Sequence, residues 1–255
     1  MHFTVTADTD VGIAKETNQD SMVVKHGKYY GGEVLMAVIC DGMGGLDKGE
    51  LASATVVRAF LRWFGEELAY ELENPDMQVI GGKWSLLLKE LNVRIQKYGQ
   101  ARGISLGTTF TGMLFVGGQY VIVHVGDTRA YRIGKDLRQL TVDQTFVAQE
   151  IERGDMTAEQ AKKDKRRNML LQCVGASDNL KPDVLVGDTK KGVYMLCSDG
   201  FRNEVTEQEI FDAFEPAENV HGEAMHTNAR RLIQLAKERQ EKDNISVILI
   251  RTDWE

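Results

Sequence analysis

Val34-Leu35-Met36-Ala37-Val38-Ile39-Cys40-Asp41-Gly42-Met43-Gly44-Gly45 is the stretch from which the rest of the chain can be read. The apolar run from Val34 to Cys40 is rich in β-branched residues and reads as a strand. An aspartate follows, and then three glycines within four residues. Asp-Gly alone is first of all a turn signal. So many glycines cost conformational entropy that a turn by itself does not require. A carboxylate at a strand end is held by the sheet yet faces a solvent-accessible rim. Glycine beside it lets a ligand or metal come close to the backbone.

The pattern recurs along the chain. Asp127 follows Val121–Val125 and Gly126, Asp199-Gly200 follows Val193–Cys197, and Asp243-Asn244 precedes Ile245–Ile250. Carboxylates gathered at one rim repel one another unless they are protonated or bound to cations. Oxygen-only ligation selects hard ions. Of the five histidines only His124 stands near these aspartates, which argues against zinc. His124 shares a strand with three valines but faces the other way, and reads as structural.

Around these points, His2–Ala7 and Ser21–Lys25 read as further strands, and Glu50–Glu71 as a helix. A second helix, Trp84–Tyr98, is expected to start after a break at Gly81-Gly82, with a surface connection over 66–83. Thr108–Val116, Tyr120–Val125 and Ala130–Ile133 read as an antiparallel meander. Residues 143–168 form a polar excursion with Gly154 and Thr157 as breakers. Helices at Glu207–Phe214 and Glu223–Arg239 lie between the last two strands. Strands grouped with strands and helices with helices predict an α+β fold, with a central antiparallel β-sandwich flanked by pairs of helices. One domain over 1–255 is expected.

Composition narrows the function classes. The net charge of −7 argues against nucleic acid as a partner. The basic cluster Lys162, Lys163, Lys165, Arg166 and Arg167 reads as a solvated helix face. The longest apolar run is far short of a membrane span, and the N-terminus lacks a signal-peptide plan, so a cytoplasmic location is expected. Cys40, Cys173 and Cys197 form neither a disulfide framework nor a zinc pattern, and Cys40 and Cys197 read as small core residues.

Seven segments together resemble the bacterial branch of the PPM-type, or protein phosphatase 2C, family. They are 17–21 (TNQDS), 41–45 (DGMGG) with Gly49-Glu50, 107–109 (GTT), 125–131 (VGDTRAY), 140–143 (LTVD), 197–200 (CSDG) and 242–246 (KDNIS). The resemblance implies a serine/threonine protein phosphatase that hydrolyses phosphate monoesters with a water activated by a dinuclear Mg2+ or Mn2+ centre. It implies that Asp41 bridges two ions with the Gly42 carbonyl on the first, that Asp199 and Asp243 hold the second, and that Asp20 orients water. Asp127 would help to hold a third, weaker ion. Residues 143–168 would be a flap beside the site. The implied partners are phosphoproteins and a cognate Hanks-type kinase, and the implied state is a monomer.

Several positions depart from the family pattern. Lys15 stands where an arginine usually contacts substrate phosphate; it supplies charge but not a bidentate fork. Gln19 replaces a frequent glutamate, Gln144-Thr145 a His-Ser pair, and Leu46 a frequent histidine. Met43 stands where eukaryotic members carry a proposed acid histidine. None removes a metal ligand. Two other readings stay open: a phosphatase for small phosphorylated molecules, and a signalling module that keeps the fold with little catalysis. Retention of a repulsive carboxylate cluster argues against the second.

Overall fold

The computed structural model describes residues 1–43, 48–217, 219 and 221–254. Gly44, Gly45 and Leu46 lie outside the described residues. In chain order the first elements are β1 (His2–Asp10), β2 (Ser21–Tyr29), β3 (Gly32–Cys40), α1 (Gly49–Glu66), α2 (Leu68–Glu71), α3 (Met77–Gln100), β4 (Phe110–Val116) and β5 (Gln119–Val125). Then follow β6 (Arg129–Ile133), β7 (Leu137–Gln139), α4 (Phe146–Arg153), α5 (Ala158–Lys163), β8 (Asp183–Asp188), β9 (Gly192–Cys197), α6 (Asp199–Arg202), α7 (Glu207–Phe214), α8 (Gly222–Glu238) and β10 (Ile245–Asp253).

The strands form two sheets, in the orders β1-β10-β9-β6-β7 and β2-β3-β4-β5-β8, with all neighbours antiparallel. The unbroken apolar run in β3 is explained by burial on both faces. Val34, Met36, Val38 and Cys40 pack with Phe60 and Trp63 of α1 and Trp84 of α3. Leu35, Ala37 and Ile39 face the other sheet, among Phe115, Tyr194, Ile248 and Ile250. A third cluster joins Met195 and Leu249 to Phe214 of α7 and Leu232 of α8. Each of the buried Val, Leu, Ile, Met and Phe side chains contributes roughly 1.5–3 kcal/mol. The expected sandwich flanked by helix pairs is the observed one.

Three expectations are corrected. The segment read as a meander is not one: β4 pairs with β5, but β6 crosses to the other sheet and pairs with β9, Arg129 opposite Cys197. Residues buried on both faces carry no signal of which sheet they join. Residues 126–128 are therefore a crossing between sheets, which sets Asp127 where the two sheets meet. Helix α3 starts at Met77, capped by the Asp76 carboxylate, and runs through Gly81-Gly82 without a break. A Cβ at Gly81 would press on Val184 and lie 3.0 Å from Val121, so this glycine serves close packing on the sheet. The expected surface connection shrinks to 72–76. Finally, β7, β8 and the short α6 were not foreseen.

The excursion over 143–168 carries α4 and α5. Gly154 ends α4 in the left-handed region (φ 81°) and Thr157 opens α5 with a capping box, so both breakers act as read. All three cysteines are free and buried. His124 is fully buried, with Nδ1 2.9 Å from the Thr111 hydroxyl and Nε2 3.1 Å from the Val142 carbonyl. Burial lowers its pKa. Among the described residues no helix is long and apolar enough to cross a membrane.

Candidate metal centre

Strand register brings the aspartates together. Asp20 immediately precedes β2 and Asp41 immediately follows β3, and Ser21 pairs with Cys40, so the two end neighbouring strands side by side. Asp199 opens α6 just after β9. Asp243 lies just before β10, which pairs with β9 through Val247 and Cys197. Each sheet thus delivers two aspartates to one end of the sandwich, and the crossing segment adds Asp127. All five share one electrostatic field. The Asp41 carboxyl is pushed far above its usual range by burial and then by the charges of Asp20, Asp199, Asp127 and Asp243.

Backbone contacts fix the loop at Asp41. Its N–H donates to the Thr109 hydroxyl at 2.9 Å, and its carbonyl accepts from the Thr108 hydroxyl at 2.8 Å and the Thr109 N–H at 2.9 Å. A Cβ on Gly42 would sit 2.5 Å from the carbonyl oxygens of Gln19 and Gly49, so only glycine fits between them. Asn244, which sequence reasoning gave no role, ties the 11–19 loop to the centre. Its Oδ1 accepts from the Gln19 N–H at 2.9 Å, and its Nδ2 donates to the carbonyls of Val11 at 2.9 Å and Thr17 at 3.3 Å. Gly12, with φ 81°, lies against the Asp243 carbonyl in a conformation that favours glycine. This loop sets the Lys15 ammonium 3.2 Å from the Asp243 carboxylate.

The electrostatics are those of an under-neutralised acidic cluster. Burial pushes Asp20 up to about 7; the Ser246 and Ser198 hydroxyls facing it oppose the shift, and the Asp199 and Asp243 charges add to it. Neither serine closes a hydrogen bond of good geometry: both Asp20 carboxylate oxygens are buried without a hydrogen-bond partner among the described residues. Asp199 Oδ1 is left in the same state, and burial raises the Asp199 pKa as well. Against Asp20, Asp41, Asp199 and Asp243 stands one described ammonium in direct contact, that of Lys15. Buried carboxylate oxygens without donors are what a hard cation satisfies, so the donor set fits Mg2+ or Mn2+. Among the described residues no three acidic, histidine or cysteine side chains already converge as a closed ligand shell.

Asp127 sits in different company. Burial and then the Asp199 charge push it up to about 7, opposed by Arg202. Arg202 Nη2 donates to the Asp127 carbonyl at 2.9 Å and lies 3.8 Å from its carboxylate. The same nitrogen lies 3.6 Å from Asp143, which Arg129 grips through two hydrogen bonds of 2.7 Å. Burial of Asp143 opposes its ionisation, but Arg129 and Arg202 outweigh it and lower its pKa. Gln144 anchors the base of the excursion, accepting from the Gly126 N–H at 2.8 Å and donating to Asp183 at 2.7 Å.

The family model for protein phosphatase 2C matches residues 13–234. The chain belongs to the protein phosphatase 2C family. It is 30% identical over 246 residues to the serine/threonine protein phosphatase PstP of Mycobacterium tuberculosis, an alignment covering 95% of this chain and 44% of that protein. The chain thus spans under half the length of that curated relative. The crystal structure of the serine/threonine phosphatase Stp1 from Staphylococcus aureus is similar with a TM-score of 0.85 at 27% identity, covering 100% of this chain and 96% of the other. The catalytic domain of PstP, solved in complex with two manganese ions, is similar with a TM-score of 0.77 at 28% identity, covering 98% and 97%. Membership in the protein phosphatase 2C family agrees with the layered fold.

Proposed function

We propose that this chain is a metal-dependent protein-serine/threonine phosphatase that hydrolyses phosphoserine and phosphothreonine monoesters. The observation that carries the reading is the set of buried, mutually repelling aspartates at the sandwich end, with oxygens that no donor among the described residues satisfies. Asp41, the Gly42 carbonyl, Asp199 and Asp243 would hold two Mn2+ or Mg2+ ions. When bound, such ions supply the positive charge that acidifies water and neutralises phosphoryl oxygens. Asp20, buried with both carboxylate oxygens free of partners among the described residues, would accept a hydrogen bond from the attacking water and orient it. Lys15, already at the rim on Asp243, would donate to the substrate phosphate. No protein nucleophile is needed for this reaction, and the water is the entering group.

The substrates would be phosphoproteins modified by a cognate Ser/Thr kinase, met by a monomer in the cytoplasm; three free, buried cysteines suit a reducing compartment. Phosphate release from a phosphothreonine peptide, measured with Mn2+ and with EDTA in parallel, tests the reading. Activity should vanish in EDTA and return with Mn2+ or Mg2+. Undiminished release in excess EDTA would sink it. Faster turnover of small phosphate esters than of any phosphopeptide would favour a small-molecule phosphatase instead.

A further inference from the structure

Asp127 differs from the other four aspartates in one respect: a guanidinium is built against it. Arg202 closes the four-residue helix that Asp199 opens, and a spacing of three puts both side chains on one face. Its Nη2 reaches the Asp127 carbonyl at 2.9 Å and stands 3.8 Å and 3.6 Å from the carboxylates of Asp127 and Asp143. The side chain is only 13% exposed, and its Nε has no hydrogen-bond partner among the described residues. Arg129 supplies the second positive charge, holding Asp143 bidentately and Tyr131 through a hydrogen bond of 2.8 Å.

The charges therefore balance locally. Asp127 and Asp143 are met by Arg129 and Arg202; the Arg202 charge also acts on Asp199 from the same helix, and among the described residues the one ammonium in direct contact with Asp20, Asp41, Asp199 or Asp243 is that of Lys15. A guanidinium stays charged at any pH the protein meets. A divalent ion arriving at Asp127 would have to stand within a few ångströms of it. In a poorly solvated site that repulsion is several times larger than in water. We infer that Arg202 is the resident cation at Asp127 and excludes a divalent ion from it, so that the proposed centre takes two metal ions and not the third, weaker one that the family resemblance implies at Asp127. The inference rests on the proposed divalent centre and concerns only how many ions that centre takes.

Counting Mn2+ tests it without an activity assay. Purified chain is titrated with Mn2+ into the millimolar range, and free Mn2+ is read by electron paramagnetic resonance, with native mass spectrometry as a second count. The wild-type chain should take two ions. Asp127→Asn should also take two, since Asp127 holds none. Arg202→Ala should gain a third, weaker ion, and Arg202→Ala combined with Asp127→Asn should lose it again. Arg202→Lys, which keeps the charge, should stay at two.

Three ions on the wild-type chain would overturn the inference, as would a drop below two in Asp127→Asn. An unchanged count of two in folded Arg202→Ala would overturn it as well. If that variant fails to fold by thermal melt, the wild-type and Asp127→Asn counts still decide. No Mn2+ bound to wild type would remove the divalent centre itself, an outcome distinct from a count of three.

Discussion

Lys15, which the family resemblance places where an arginine is expected, has a definite address in the structure. Its ammonium lies 3.2 Å from Asp243 and is about one-third exposed, so it is neither free in solvent nor sealed in. Gly12 and the Asn244 hydrogen bonds hold the loop that carries it. A charge-assisted hydrogen bond to a phosphate contributes about 1.5–3 kcal/mol. Lys15→Ala should therefore lower kcat/KM on a phosphothreonine peptide by roughly 10- to 100-fold. If the contact is equal in ground and transition states, the loss falls mainly on KM. Lys15→Arg should hold or improve binding by adding a second parallel hydrogen bond. Steady-state kinetics decide it, and a wild-type kcat/KM for the alanine variant would reduce Lys15 to a surface charge. Asp41, Asp127, Asp199 and Asp243 were legible in the sequence because each ends or precedes an apolar run beside a glycine or asparagine, whereas Asp20 came only with the family resemblance. Asn244 was not legible, since an asparagine after an aspartate reads as a turn. Arg202 was not, since its partner Asp127 lies 75 residues away and only the crossing between sheets joins them.

At the scale of elements, the strands buried on both faces were legible, as β3, β5, β9 and β10 show, because such strands read as apolar runs whatever lies beside them. Edge strands carried less signal: β7 has three residues, and β8 is buried on neither face completely. The glycine pair in α3 misled for a physical reason, since glycine marks both helix breaks and close packing, and only the partner surface tells them apart. The two glycines now make opposite predictions. Gly82 is exposed, and a Cβ there meets nothing within 4 Å, whereas Gly81 faces Val184 and Val121. Gly82→Ala should stabilise the chain by about 0.5–1 kcal/mol, through better helix propensity and a less flexible unfolded state. Gly81→Ala carries the same propensity gain but must displace Val184, so its melting temperature should fall below that of Gly82→Ala. Thermal melts of both variants test this. A destabilised Gly82→Ala would mean that the helix does break there.

For the whole molecule the acidic cluster couples folding to pH and to metal. Burial and mutual repulsion raise Asp20 and Asp127 to about 7 in the folded chain, and Asp41 and Asp199 are raised too. In the unfolded chain such groups titrate near about 3.9. Between those values the native state binds more protons than the unfolded state, so without metal the stability from these groups is full below about pH 4 and is lost as pH rises toward about 7. Buried His124 works the other way. Its folded pKa is lowered, so the unfolded state takes up the proton first, and the contribution of His124 to stability grows as pH rises toward the unfolded value of about 6.5. Asp143, with its lowered pKa, loses its contribution only as pH falls below the usual carboxylate range, outside this window. A cation bound by Asp41, Asp199 and Asp243 reverses the sign for the cluster, because it requires the ionised carboxylates and binds only the native state. Differential melts isolate the effect, since His124 contributes equally with and without metal. The gain in melting temperature from saturating Mn2+ over EDTA should be small at pH 5 and widen steadily to pH 7.5. A gain that is constant across that range would mean that the cation does not meet these carboxylates, and the centre would have to be sought elsewhere.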